Sequence, residues 1–292
     1  MKRFRVYICT DLEGVGGVVN FTDWCTPDGY RNEAGCRFLT EEVNAAVDGF
    51  FAGSATEVVV GDGHGSGGSI RGEILDSRAY LKRGGDDLAD YEAFAFVGQH
   101  AKAGTPYAHL AHTQTEEAID FRINGVSLGE FGQLAYMAAE QGKPTIFAAG
   151  DKALTLEARA LIPEIITVAV KEGTNPAPPL DVAADAVLVK CSGALHYPRR
   201  KVLADLRAGA KNAAEKYRAN AGVFKLPPIP GSYVAEAEYR AIGTKLIPLF
   251  GKLPARRLKT RINPTITAAF KEFYGQIEWS APDGDRIVEF KE

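Results

Sequence analysis

The chain has 292 residues, of which 46% are hydrophobic and 24% are charged, and its formal net charge at pH 7 is -3. This length is enough for one large α/β domain or two smaller ones around a buried core. The small net charge gives no reason to expect a nucleic acid or an anionic membrane as a partner. No apolar run approaches the roughly 20 residues of a membrane-spanning helix, and no secretory signal is evident at the start.

Four cysteines occur in the chain, and no two of them have the CxxC spacing of a metal or redox motif. Cys9 falls inside an apolar strand pattern, so we predict a small core residue rather than a ligand or half of a disulfide. This usage favours a reducing compartment, and we therefore expect a cytoplasmic protein.

Strand and helix patterns alternate over the first 170 residues. Short β-branched and aromatic runs predict strands, and apolar residues at helical spacing predict helices. The predicted strands cover residues 6–10, 56–60, 94–97, 119–123, 145–149 and 165–170. The predicted helices cover residues 33–53, 127–141 and 154–161. This alternation predicts an α/β fold with a mostly parallel sheet and helices on both faces.

The pattern changes after residue 175, where several prolines mark a surface connection. Residues 181–189 are strand-like towards their end, and residues 199–219 are predicted to form a long basic helix. Residues 232–238 alternate like a strand, and a further helix is predicted to begin at Pro264. A basic cluster at residues 256–261 has no interleaved aromatic residues, so we interpret it as a solvated face or subunit contact. We predict an α/β domain at residues 1–175 and a smaller C-terminal α+β region at 176–292, a candidate oligomer interface.

Polar side chains follow three of the predicted strands. Asp11 and Glu13 come after the first strand, and in an extended chain two residues that are two apart point to the same side. Burying two carboxylates together is costly without a cation between them, whereas a solvated turn is the alternative. His64 and His100 end two further strands, and ligands gather at the carboxyl edge of parallel sheets. The acids and histidines together therefore favour a divalent metal site.

Two other motifs have competing interpretations. Ser127 and Glu130 fit a capping box, in which Glu130 would bond to the backbone of Ser127 instead of binding a ligand. The glycine-rich stretch Gly61–Gly68 is suited to cradling phosphate, but no Lys-Ser/Thr pair follows it as in a P-loop. No GxSxG motif indicates a serine nucleophile.

The order and spacing of five short motifs resemble the DppA-type D-aminopeptidases, zinc metallopeptidases that remove D-amino acids from the N-termini of short peptides. The resemblance is strong from residue 5 to about residue 172 and thin from 232 to 274. The motifs are Thr-Asp-Leu-Glu-Gly at 10–14, Gly-Asp-Gly-His at 61–64, Gly-Gln-His-Ala-Lys-Ala-Gly-Thr-Pro at 98–106, His-Thr at 112–113 and Gly-Glu-Phe-Gly at 129–132.

This resemblance implies a binuclear zinc site, a bridging role for Asp11 and a catalytic role for His112. It also implies D-alanyl substrates and a ring-like homo-oligomer of ten subunits. The loop between the last two histidine motifs is one residue longer than in the family, which leaves His109 as a rival for the catalytic role. The implied zinc ligands are Asp11, Glu13, His64, His100 and Glu130.

The implied chemistry is coherent, because a pair of zinc ions lowers the pKa of bound water and polarises a carbonyl. Asp62 and Asp151 are candidates for orienting the ligand histidines, with surface acids as the alternative. Two other functions remain open. One is a different binuclear metallohydrolase, an amidase or phosphoesterase, with the same ligands. The other is a non-catalytic module that binds a phosphorylated ligand on the Gly61–Gly68 loop.

Overall fold

A seven-stranded sheet carries the polar strand ends. The structure is a computed structural model, and it describes residues 3–65, 67–83, 88, 90–241 and 255–276. The strand order is β3-β2-β1-β4-β7-β8-β9, and all neighbours are parallel except β8 and β9. The strands are β1 (Arg5–Thr10), β2 (Glu57–Asp62), β3 (Ala79–Lys82), β4 (Ala93–Gln99), β7 (Thr145–Asp151), β8 (Ile166–Gly173) and β9 (Ala194–His196).

A second, antiparallel sheet has the order β11-β10-β5-β6. Its strands are β5 (Ala118–Ile123), β6 (Val126–Ser127), β10 (Ala235–Tyr239) and β11 (Arg256–Lys259). This sheet pairs strands from both sides of residue 175, so the predicted boundary there does not separate the two sheets. The basic residues of β11 lie beside acids; for example, Arg257 is 3.0 Å from Glu238 on β10.

Helices cover the main sheet on both faces, because β4 and β7 are buried at every residue. Helices α2 and α6 pack against each other, and α3 and α4 pack near β4, β7 and β8. The helices are α1 (Phe21–Trp24), α2 (Asn32–Ala52), α3 (Glu130–Glu140), α4 (Lys152–Leu161), α5 (Ala184–Lys190), α6 (Arg199–Asn220) and α7 (Ile266–Gly275). No helix in the described ranges is both long and apolar enough to cross a membrane.

The predicted α/β architecture is confirmed, and one predicted element is wrong. Residues 181–189 were predicted to be strand-like, but helix α5 occupies most of them. Ala184, Val187, Leu188 and Cys191 are buried, and their spacing of three, four and seven residues is that of one helix face. A short apolar run suits either structure, and this one forms a helix because only a helix buries all four side chains together.

All four cysteines are free and lie within the described residues. Cys9 packs against the main hydrophobic core, as predicted.

The register of the parallel strands brings their carboxyl ends to one edge. Thr10 of β1 lies beside Asp62 of β2 and Val97 of β4. The segments that follow these three residues therefore leave the sheet together, which is the arrangement that the strand-end pattern predicts.

Gly98 permits this close approach of β1 and β4. Its φ is +80°, and a Cβ atom there would lie 2.0 Å from the carbonyl oxygen of Asp11. We expect Gly98→Ala to lower the free energy of unfolding by about 2 kcal/mol or more, measured by urea denaturation. Gly125→Ala is the matched control, because Gly125 also has a φ of +80° but no atom within 4 Å of the added Cβ. If the two variants lost the same free energy of unfolding, the close approach of β1 and β4 would not account for the loss in Gly98→Ala.

Candidate metal centre

Three carboxylates, two of them buried and one half-buried, and three histidines meet at the carboxyl edge of the main sheet. Strand β1 ends at Thr10, so the extended chain that would point Asp11 and Glu13 to the same side does not continue; a turn follows instead. The turn still brings Asp11 and Glu13 together, because His64 Nδ1 lies 3.1 Å from an oxygen of each. The carboxylates belong to Asp11, Glu13 and Glu130, and the imidazoles belong to His64, His100 and His112.

Each imidazole has one nitrogen bound to a backbone carbonyl. His64 Nε2 donates to Cys25 O at 2.8 Å, His100 Nδ1 to Ala101 O at 2.9 Å, and His112 Nδ1 to Leu110 O at 2.8 Å. A carbonyl only accepts, so that nitrogen carries the hydrogen. The other nitrogen of each ring is thereby left to face the carboxylates. Such carbonyl contacts are those that fix the tautomer of metal-binding histidines.

The free nitrogens of His100 and His112 point towards Glu130. His100 Nε2 lies 3.5 Å from Glu130 Oε1 and 3.3 Å from Asp11 Oδ2. His112 Nε2 lies 3.9 Å from the same Glu130 oxygen. The rings of His100 and His112 stack with centroids 4.0 Å apart. Asp11 thus connects the two halves of the cluster, since its other oxygen faces His64.

The donor set fits zinc in its chemistry and its spacing. Within the described residues, two groups have ligand atoms within 4.8 Å of one another: Asp11, Glu13 and His100, and His100, His112 and Glu130. Glu13 Oε2 and His100 Nε2 are buried, and each lies close to another atom of the cluster: Glu13 Oε2 is 3.1 Å from His64 Nδ1, and His100 Nε2 is 3.3 Å from Asp11 Oδ2. Imidazole nitrogens and carboxylate oxygens are common zinc ligands, and a cation would satisfy both of these atoms.

Glu130 does not form the predicted capping box. Helix α3 begins at Glu130 itself, and Ser127 belongs to β6, where its hydroxyl donates to Asp120. The Glu130 side chain is therefore free to enter the cluster, and its Oε1 also accepts the backbone N–H of Gln114 at 2.7 Å. The capping-box prediction is wrong because the backbone at Ser127 pairs in a sheet instead of starting a helix.

The glycine-rich loop after β2 uses its amides internally. Asp62 Oδ2 accepts the N–H groups of Gly68, Ser69 and Ile70 at 2.7, 2.9 and 3.1 Å. A phosphate would compete with this carboxylate for the same three donors. The described part of the loop therefore does not favour the phosphate-binding alternative.

Comparison with known proteins identifies the family of this chain. The model of the peptidase family M55, D-aminopeptidase, matches residues 4–269, which is most of the chain. The chain belongs to this family. A D-aminopeptidase of Bacillus subtilis (strain 168) is 33% identical over 177 residues, which cover 58% of this M55 chain and 64% of the relative. The matched part therefore spans less than two thirds of that relative.

A solved structure has the same fold as this M55 chain. It is the Zn-dependent D-aminopeptidase DppA from Bacillus subtilis, described as a self-compartmentalizing protease. The TM-score is 0.73, the sequence identity is 24%, and the match covers 92% of this chain and 95% of the other. The predicted resemblance to the DppA-type family is thus confirmed.

The structure separates the two rival histidines of this M55 chain. His109 Nε2 donates to Val19 O at 3.0 Å, and its ring lies edge-on to His196. Its bonding partner is a loop carbonyl, whereas the ring of His112 stacks on His100 in the cluster. The geometry therefore brings His112, and not His109, to the carboxylates.

Asp62 and Asp151 are neither surface acids nor ring partners of the histidines. Asp62 holds the loop that follows His64, as described above. Asp151 is buried, and its two oxygens accept the N–H groups of Ala101 and Ala153, each at 3.1 Å. Both acids therefore fix the backbone beside a histidine instead of the imidazole itself.

Two polar residues in contact with the cluster were not predicted. Gln99 Nε2 donates to Asp11 Oδ2 at 2.9 Å and lies 3.4 Å from Glu130 Oε2. Its position just before His100, at the end of a buried strand, was the available signal. Lys171 Nζ donates to the carbonyl oxygen of Glu13, and nothing local in the sequence indicates that contact.

The charges of the cluster shift the pKa values of its members. Burial is the largest influence on the pKa of His64 and lowers it, but the charge of Glu13 and hydrogen bonds to Asp11 and Glu13 outweigh burial and raise that pKa to about 12. The pKa of His100 is also raised, because the attraction of Glu130 outweighs burial. Burial lowers the pKa of His112, and the neighbouring His100 lowers it further.

Zinc binding is expected to release at least two protons per chain at pH 7, because metal ligands bind in their deprotonated form. His64 and His100 have raised pKa values and hold protons at this pH, whereas His112 does not. Affinity should therefore rise with pH. Isothermal titration calorimetry in buffers of different ionisation enthalpy counts the protons, and a release of none would contradict the prediction.

Proposed function

We propose that this protein is a zinc-dependent aminopeptidase that hydrolyses the N-terminal peptide bond of short peptides, with a preference for D-amino acids such as D-alanine. Family membership and the relative named D-aminopeptidase support this proposal. The observation that carries it is the orientation of the three imidazoles. Each has one nitrogen fixed by a backbone carbonyl and presents the other to a carboxylate of the cluster.

Two zinc ions per chain account for the charge of the site. Asp11 and Glu13 are buried and Glu130 is half-buried, and three carboxylates placed together in such a site need cations. Asp11 would serve both sides of the site, because Oδ1 faces His64 at 3.1 Å and Oδ2 faces His100 at 3.3 Å. Glu13 and His64 would complete one side, and His100 and Glu130 the other.

The bound zinc would supply a water of lowered pKa and polarise the peptide carbonyl. The chain's own residues would transfer the proton and orient the ligands. The bond between His112 Nδ1 and the carbonyl of Leu110 leaves Nε2 as the nitrogen that accepts a proton at the reacting atoms. Gln99, bound to Asp11, holds that carboxylate in one orientation.

Metal analysis and three substrates test the proposal. We expect about two equivalents of zinc per chain, loss of activity on chelation and recovery on adding zinc. Hydrolysis of D-Ala-D-Ala, with slower hydrolysis of L-Ala-L-Ala and none of an aryl phosphate, is the expected pattern. Preferred hydrolysis of the aryl phosphate would support the alternative metallohydrolase. A folded, metal-free protein with full peptidase activity would overturn the metal mechanism.

We further propose a homo-oligomer, which the self-compartmentalizing character of the solved relative supports, and ten is the number of subunits that the family resemblance implies. Light scattering in solution is expected to give a mass near ten times that of the 31.4 kDa chain. A monomer at micromolar concentration would contradict this assembly. The cytoplasmic location stays a prediction from cysteine usage.

A further inference from the structure

Lys171 is a buried cation directly behind the metal centre. It lies near the end of β8, its side chain is 0% exposed, and its ammonium group donates to Glu13 O at 2.5 Å and Val18 O at 3.2 Å. Burying an ammonium group is costly unless its donors are bound, so a buried lysine needs a specific reason. The proposed mechanism does not use this residue.

The two carbonyls that bind Lys171 lie at the two ends of one turn, residues 13–18. This turn carries the proposed zinc ligand Glu13. Side chains from other elements hold its middle: Gly16 N–H donates to Glu42 at 2.9 Å, and Gly17 N–H donates to His196 at 3.0 Å. Lys171 thus closes the turn, because one ammonium group offers several donors from one point and can reach both ends.

We propose that Lys171 is a positioning residue for the zinc ligand Glu13. The inference rests on the proposed function. The ammonium group binds the main-chain oxygen of Glu13, while the carboxylate of the same residue faces His64 at 3.1 Å. A shift of that backbone moves the carboxylate with it, and metal ligands need to be held within about 0.5 Å. Lys171 therefore acts on zinc through Glu13 and does not bind zinc itself.

Lys171→Met tests this role with zinc affinity as the readout. Methionine keeps the length and removes the donors, so we expect a 10- to 100-fold weaker zinc affinity, the usual effect of losing a group that orients a ligand. The affinity is measured by competition with a chromophoric chelator, and circular dichroism checks the fold. Lys171→Gln keeps one donor and is expected to lose less; it also covers the case in which the methionine variant does not fold.

A stability control separates positioning from general loosening. Leu206→Ala creates a cavity under α6, where Leu206 is fully buried, and this helix carries none of the six cluster residues. It should lower the melting temperature and leave zinc affinity within about twofold of the unmodified chain. An equal loss of zinc affinity in this variant would mean that reduced stability alone explains the lysine variant.

A double-mutant cycle with Glu13→Gln decides whether Lys171 acts through Glu13. If it does, adding Lys171→Met to Glu13→Gln produces little further loss of zinc affinity. The same fold loss in both backgrounds would overturn the inference, as would unchanged affinity in the single lysine variant. A wild-type chain that binds no zinc would overturn the proposed function instead, so the two failures are distinguishable.

Discussion

Replacing Asp11 with asparagine is expected to lower turnover by about 10³-fold or more, because the metal supplies several kcal/mol of transition-state stabilisation. Asp11 faces His64 with one oxygen and His100 with the other, so the loss affects both proposed zinc ions at once. Asparagine preserves the shape of the side chain but has no charge to hold the cations. Bound zinc, measured by atomic emission, should fall below the value for the unmodified chain.

The same substitution is expected to leave the metal-free fold at least as stable at pH 8. Burial and the charge of Glu13 raise the pKa of Asp11 from 3.8 to about 7. A carboxyl group whose folded pKa is raised stabilises the fold below its unfolded pKa, and this stability is lost as the pH rises towards the folded value. Asparagine cannot ionise, so the variant does not lose this stability as the pH rises. Thermal unfolding in the presence of a chelator should therefore show no lower melting temperature for the variant than for the unmodified chain.

Asp90→Asn is the control for Asp11→Asn, because the Asp90 side chain is 75% exposed and lies outside the cluster. It should keep both zinc content and turnover. Full zinc content and normal turnover in the Asp11 variant would contradict the central position given to this carboxylate.

The part of the site that strand ends supply was predictable from the sequence. Parallel strands share one carboxyl edge, and the chain places Asp11, His64 and His100 just after three adjacent strands of the sheet. The hydrophobic runs identify those strands without any knowledge of their order. Apolar periodicity likewise predicted α2, α4 and α6, whose buried faces follow helical spacing.

The rest of the site depends on contacts between distant segments. Glu130 reaches the cluster from the first residue of α3, after a hairpin of the second sheet, and this hairpin overrides the capping-box pattern at Ser127. Lys171 sits near the end of a strand, where a lysine is normally solvated. It is buried here because it binds the turn that carries Glu13, more than 150 residues earlier in the chain.

Replacing His112 with alanine is expected to reduce turnover by about 10²- to 10⁴-fold, the contribution of a positioned proton-transfer group. His112 Nε2 lies 3.9 Å from Glu130, farther than the His100 contact, and Nδ1 is bound to Leu110 O. The three carboxylates and the other two histidines of the cluster remain in this variant, so its zinc content should stay near that of the unmodified chain. Steady-state kinetics on D-Ala-D-Ala and metal analysis of the same sample measure the two quantities.

His109→Ala is the matched control, because it removes the other histidine of the same loop. His109 is buried and binds Val19 O, so its loss should lower stability by about 1 kcal/mol, as for an ordinary hydrogen bond. Turnover should change less than tenfold, since no carboxylate of the cluster contacts this ring in the described structure. A large loss of turnover in His109→Ala, with normal turnover in His112→Ala, would show that His109 is the residue that transfers the proton. We expect the loss in His112→Ala instead, because the ring of His112 stacks on His100 in the cluster, at 4.0 Å between centroids.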